Sequence, residues 1–403
     1  MWRYSGIDAF DLDRYAPVGG AGPEAAQPAE LALARSLADS VGARSALVVT
    51  RDGVVVHVEA DPALAGAVTM AAARQGAEPP AELGLLDHVH DAFGELHHAY
   101  LADTLSVRVA PKADVRVPVV VVHLVGGTGA AGEPAGDEGA GTSSFPHLCV
   151  TVGASADAAV VELTASGDDG RPALVVPVTE LEVADDARLS YASVQLLGTA
   201  THHVGTQASR VGRDATLRSF TAGFGAAYDR VRTDSDLVGQ GGRTVLHAAY
   251  LGTGEQVHDF RTLQDHHAPR TSSELLFSGA VADTARSVYS GLIRIRNGAR
   301  GADAFQTNHN LVLSAGAHAD SVPNLDIEEN DVRCSHASTV GPVDEEQRYY
   351  LESRGIEPSV AERLIVLGFF SAMAERAPIA EVGRLVEARV GERLAGRTGA
   401  SGG

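Results

Sequence analysis

The strongest constraint in this chain is a long stretch, residues 105–340, with no helical pattern in it. Short runs rich in Val, Thr, Ile and Leu follow one another there. Turn tokens separate them: Gly212-Arg213-Asp214, Gly239-Gln240-Gly241-Gly242, Asn297-Gly298 and Ala315-Gly316-Ala317. Many short strands punctuated by turns, with no helices between them, specify a sandwich, a barrel or a β-solenoid. No strict repeat period is visible, which weighs against the solenoid.

The flanks differ in character. Residues 28–41 have the apolar spacing of a helix, and 45–60 read as a hairpin around Asp52-Gly53. Helical patterning is expected over 63–76 and again over 82–101. At the other end a short helix over 344–353 is stopped by Gly355. A second, over 358–376, has Pro358 in its first turn and Val360, Leu364, Leu367, Phe370 and Met373 along one face. A third opens at Pro378. The expected class is mainly β, divided into an N-terminal α/β region (1–104), a β core (105–343) and a C-terminal helical region (344–403). Segment 126–142, rich in Gly, Ala and Pro, reads as a flexible surface loop.

Composition excludes several functions. A net charge of −20 leaves no basic footprint for nucleic acid. Two cysteines, Cys149 and Cys334, build neither a disulfide framework nor a four-cysteine zinc site. Residues 1–15 carry charges throughout and do not read as a signal peptide, and the longest apolar runs are too short for a membrane span. The expected location is the cytoplasm.

Candidate chemistry is sparse. The glycines Gly127, Gly129 and Gly132 match GxGxxG after a strand-like run, but Glu133-Pro134 follows, and a dinucleotide site needs a helix to begin there. A phosphate-binding GK[ST] loop is excluded, because the single lysine, Lys112, stands in Ala110-Pro111-Lys112-Ala113. His88, His90, His97 and His98, and the pairs His202-His203 and His266-His267, read as surface histidines without the spaced carboxylate of a metal motif. Asp265-His266-His267 invites a dyad reading, but adjacency is no evidence of triad geometry. Arg294, Arg296 and Arg300 read as a solvated face. Cys334 and His336 remain. Two residues apart on a strand, they share one side and lie roughly 7 Å apart. A thiolate and an imidazole both suit iron, yet two ligands do not close a site. The ordinary structural reading makes Cys334 a small buried hydrophobe, with Val332 at the same parity.

At these residues the sequence resembles the SufB/SufD family. The matching blocks, in order, are QDHHAPRTSS (264–273), ARSVYSGLI (285–293), QTNHNLVLS (306–314), PNLDI (323–327), DVRCSH (331–336), TVG (339–341), DEE (344–346) and YYLESRGI (349–356). Fainter similarity extends to FGELHHA (93–99) and to Trp2-Arg3-Tyr4. The resemblance implies a right-handed parallel β-helix flanked by helical regions. It implies a scaffold rather than an enzyme, paired with a SufB-type subunit through the β-helix and docking a SufC-type ATPase on the C-terminal helices. The cofactor implied is a transient iron or iron–sulfur cluster at the SufB interface, with none held tightly by the chain alone; a homodimer of the isolated chain is left open. Residues 151–333 contain no cysteine, which resembles the SufD branch more than the cysteine-richer SufB branch. The family's CSHGATVG stands here as CSHASTVG, with Ala337 and Ser338 as the departures. By resemblance, His336 matches a histidine that helps receive iron or cluster, and Cys334 the cysteine beside it. A carbohydrate-active β-solenoid enzyme is the alternative, for which the acidic group Asp326, Glu328, Glu329 and Asp331 is the sole candidate.

Overall fold

In the computed structural model two parallel sheets run side by side and are stitched together layer by layer. The structure describes residues 10–18, 25–74, 91–126, 141–166 and 170–400. The GxGxxG glycines, His88, His90, Trp2-Arg3-Tyr4, and parts of the expected loop and of the 82–101 helix lie outside the described residues. Each layer places one strand in each sheet. Layers 1 to 4 are Asp103–Val109 with Asp114–Val125, His147–Val152 with Asp157–Ser166, Val178–Val183 with Arg188–Leu196, and Thr201–Val211 with Thr216–Gly223. Layers 5 to 8 are Tyr228–Leu237 with Arg243–Gly252, Val257–His266 with Ser272–Val281, Arg286–Ile295 with Asp303–Val312, and His318–Ile327 with Arg333–Gly341. The core is a parallel β-solenoid.

The repeat is real in space but uneven in sequence. Arg188 pairs with Thr216, Thr216 with Arg243, Arg243 with Ser272, Ser272 with Asp303 and Asp303 with Arg333. The step between layers therefore drifts, and no fixed period shows in the sequence. What repeats is one corner. Lys112, Ser155, Asp186, Asp214, Gly241, Arg270 and Gly301 all have positive φ. Each donates its backbone N–H to a carbonyl one layer on: Ser155 to Asp185 (2.9 Å), Asp186 to Arg213 (2.8 Å), Arg270 to Arg300 (2.8 Å), Gly301 to Asp331 (2.7 Å). The left-handed turn residue thus supplies a hydrogen bond that the strands cannot make at a bend.

The first layer is stoppered. The hairpin strands Ala46–Arg51 and Val54–Ala60 extend the second sheet, turning at Asp52 (φ 49°) and Gly53 (φ 88°), the two positive φ values of a type I′ turn. Val68–Arg74 runs antiparallel to Asp103–Val109 on the first sheet. This corrects the helix expected over 63–76, where only Pro62–Leu64 forms a single 3-10 turn. Ala and Met favour helix locally, but the edge of the first sheet offers a row of unpaired backbone groups, and pairing there prevails.

Helix α1 (Pro28–Asp39) covers the outer face of the second sheet, as do α4 (Pro358–Ala374) and α5 (Ala380–Ala400); α2 (Ala92–Tyr100) and α3 (Glu345–Ser353) complete the described helices. Phe370, Met373, Val382, Val386 and Val390 meet Phe220, Ala222, Ala249 and Leu251 there. The face expected of α4 is only half right. Phe370 and Met373 are buried, but Val360 and Leu364 are 46% and 45% exposed. In the first two turns of α4 only Ala361 is buried, so the helix meets the sheet along its C-terminal half.

Inside the solenoid, the early layers are apolar along one side: Leu105, Val107, Val121, Leu148, Val160 and Leu189. A polar spine lines the rest. His123 approaches Glu162 at 3.0 Å, and Glu162 also accepts from Thr179 and Tyr191. Asp229 accepts from the Nδ1 of His203 (2.7 Å) and of His258 (3.1 Å). Burial alone would raise the Asp229 carboxyl, but those two hydrogen bonds outweigh it and hold the group well below the usual carboxylate range.

Candidate functional site: the open end

The solenoid ends on bare strands. Arg333–Gly341 pairs only with Asp303–Val312, and His318–Ile327 only with Arg286–Ile295, so each presents an unpaired edge among the described residues. Pro323, in the last strand of the first sheet, suits such a place because an edge tolerates a missing N–H. Leu325, Ile327 and Val340 are 38%, 43% and 43% exposed at this end.

Cys334 and His336 lie on the terminal strand with the parity of the interior. In the layer beneath, that parity belongs to Ala304, Gln306, Asn308 and Asn310, all buried. In the last layer no described strand lies above the same side. The two residues then part company. Cys334 packs with Val332 against Ile293, Ile295, Ala299, Ala302 and Ala304, and its partial burial raises the thiol above the ordinary value. His336 is exposed and pairs in register with Gln306. The amide nitrogen and oxygen of Gln306 are both buried without a hydrogen-bond partner. The interior below this point is polar: Tyr250 donates to Asn310 (2.5 Å), Asn310 to Asn308 (2.7 Å), Gln264 to Ser273 (2.7 Å).

The other candidates resolve as structure. His97, His203 and His266 are buried, not surface, histidines. On a strand, neighbours point to opposite faces, so His203 and His266 turn inward while His267 faces out. Burial lowers His266 to about 4, and it bonds Thr271 and Ser273 at 2.8 Å each. Asp265 is taken up by Arg296, which donates twice (2.9 and 2.8 Å), so no dyad forms with His266. Arg294 meets Asp326 at 3.0 Å and Arg300 meets Asp331 at 3.8 Å. The arginine face is solvated, as expected, and ion-paired as well.

Residues 135–369, more than half of the chain, match the family model described as SUF system FeS cluster assembly, SufBD core domain. The chain belongs to the SufBD core family. That match runs through the solenoid from its second layer to α4 and includes both Cys334 and His336. An iron–sulfur cluster assembly SufBD family protein of Mycobacterium tuberculosis (strain ATCC 25618 / H37Rv) is 34% identical over 264 residues, 64% of this chain and 65% of that protein. Iron–sulfur cluster assembly protein SufD of Escherichia coli (strain K12) is 30% identical over 279 residues, 69% of this chain and 64% of its own length. SufD of Bacillus subtilis (strain 168) is 29% identical over 286 residues, 70% and 62% respectively. The chain thus spans a little under two thirds of these SufBD relatives. No described helix is long and apolar enough to cross a membrane.

Sequence reasoning passed over one further group on the SufBD solenoid: His147, Cys149 and Glu180, buried together under α2. No local motif marks it, because Glu180 comes from the next layer and meets Cys149 only through strand register.

Proposed function

We propose that the chain is a non-catalytic scaffold subunit of SUF iron–sulfur cluster assembly. It pairs end to end with a SufB-type subunit through its last layer, and His336, with Cys334 beside it, completes an iron or nascent-cluster site across that joint. The observation that supports this most is the open end itself. A histidine with interior parity stands exposed on a strand that has one unpaired edge among the described residues, flanked by exposed Leu325, Ile327 and Val340. Unpaired edges and apolar side chains together favour a strand-bearing partner. An imidazole nitrogen is a donor that suits iron. Cys334 is held as a thiol by burial, which gives it the lesser part.

A SufC-type ATPase is assigned to the exposed side of α3 and α4. Tyr349, Tyr350, Val360 and Leu364 are 73%, 58%, 46% and 45% exposed there. With no GK[ST] loop in the sequence, ATP hydrolysis belongs to that partner. The carbohydrate reading gains nothing. Asp326 and Asp331 meet arginines, and Glu328 and Glu329 accept from the backbone of Asn297 and Gly298.

Co-expression with SufB- and SufC-type partners tests the proposal. A complex containing all three chains, ATPase activity and bound iron and sulfide is expected. A chain that purifies alone beside an intact pair of the other two would overturn it.

A further inference from the structure

Helix α2 lies over the outer face of the first sheet and covers a small buried polar cluster. His147 and Cys149 are two apart on the layer-2 strand and point outward, opposite in parity to the interior Leu148 and Val150. Glu180 on the layer-3 strand is the register partner of Cys149. His97 comes down from α2. All four are buried, with exposures of 0% for His97, 2% for His147, 5% for Cys149 and 3% for Glu180. One ligating atom from each of His147, Cys149 and Glu180 lies within 4.8 Å of the other two.

The hydrogen bonds fix which atoms point inward. His97 Nδ1 lies 2.8 Å from the Val176 carbonyl oxygen, which only accepts, so Nδ1 carries the proton. In the neutral ring the other nitrogen, Nε2, is then a bare acceptor. That Nε2 lies 3.1 Å from His147 Nδ1, which must therefore donate. His147 Nε2 is left on the Glu180 side, buried and without a hydrogen-bond partner among the described residues. It stands 3.4 Å from Glu180 Oε1. That is long for an N–H···O bond. It is the separation of two ligands that each sit about 2.1 Å from a tetrahedral ion, which comes to about 3.4 Å.

We propose that His147, Cys149 and Glu180 form a binding site for one divalent first-row transition ion, zinc(II) or iron(II), with His97 as the positioning residue that fixes the His147 tautomer. Nitrogen, sulfur and carboxylate oxygen are the donor set such ions take, and three protein ligands leave a fourth position open. A ligand histidine is usually oriented by a hydrogen bond from its second ring N–H, and here His97 Nε2 accepts that bond. The second described group, Asp236, Asp265 and His267, does not qualify, because Arg296 already holds both oxygens of Asp265. The site is separate from His336, on another layer and another face, and stands whether or not the scaffold reading does.

The test uses the full-length Cys334→Ser chain, in which Cys149 is the only thiol. After chelator treatment it is titrated with cobalt(II). A thiolate-to-cobalt absorption band saturating at about one equivalent is expected, together with protection of Cys149 from alkylation. Zinc(II) and, under anaerobic conditions, iron(II) then compete for the site, and the tighter competitor names the ion. His147→Gln and Glu180→Gln should each weaken cobalt binding at least tenfold, while far-ultraviolet circular dichroism stays unchanged. The titration of the Cys334→Ser chain needs no change within the site, so a misfolded variant does not blunt it. Absence of the band and of protection overturns the proposal and leaves a proton between His147 and Glu180. A band that survives both His147→Gln and Glu180→Gln overturns it as well.

Discussion

His336 stands directly across the last ladder from Gln306, an exposed imidazole over a buried amide whose two polar atoms find no partner among the described residues. A partner seated on this end would meet a histidine backed by polar, not apolar, interior. His336→Ala should leave the fold and the SufB-type complex intact but lower its iron and acid-labile sulfide. Cys334→Ala should lose less of either, while costing about 1 kcal/mol of packing against Ala304 and Ile293. Wild-type loading in His336→Ala would sink the ligand role.

The ATPase surface is best tested by point substitution. Deleting 344–403 would uncover Phe220, Ala249 and Leu251 and confuse docking with unfolding. Tyr349→Glu with Leu364→Glu alters side chains already in water and should change stability by only about 0.5 kcal/mol. ATPase pull-down should be lost and SufB-type association kept. Retained pull-down would place the contact elsewhere.

Asp52 heads the N-terminal turn and accepts from the Gly126 N–H at 2.9 Å. Burial raises its carboxyl to about 6. A carboxyl raised on folding favours the fold below its unfolded value near 3.9 and loses that contribution as pH climbs through 6. Asp52→Asn keeps the acceptor and tolerates positive φ. It should stabilise by about 1 kcal/mol at pH 8, allowing for solvent screening, and by almost nothing at pH 4. Urea midpoints at the two values decide it; an equal shift at both would mean the charge is not the cause.

Asp229 has the opposite sign. Its depressed carboxyl stabilises the fold above the unfolded value near 3.9 and withdraws that contribution as pH falls. Asp229→Asn leaves His203 and His258 without their shared charged acceptor and should cost about 3–5 kcal/mol at pH 7. Thermal melts should show the gap between the variant and wild type narrowing below pH 4. A constant gap would assign the loss to packing.

Much of this molecule could be read from its residues before any coordinates. Asp52-Gly53 specified its hairpin, and Asp214, Gly241 and Gly298 fell at corners, because positive φ is a local demand that few side chains meet. The layering was hidden, since the loop between strands absorbs insertions and blurs the period. Val68–Arg74 was misread because its conformation is imposed by an edge contributed by Asp103–Val109. Val360 and Leu364 were misassigned because periodicity gives a stripe and not what lies opposite it. Cys334 and His336 could be picked out by their spacing, but the cluster of His147, Cys149 and Glu180 could not, being a product of register alone.

The stoppered first layer and the bare last one make the solenoid a plug with a single socket. Val54–Ala60 and Val68–Arg74 run antiparallel to the strands they extend, so that end offers no parallel ladder for another solenoid to continue. Two solenoids joined at their last layers would expose only such antiparallel strands at their far ends, which disfavours further end-to-end growth. A variant that loses its N-terminal strands would regain a second socket. Its hazard would then be a fibre, lengthening one rod at a time.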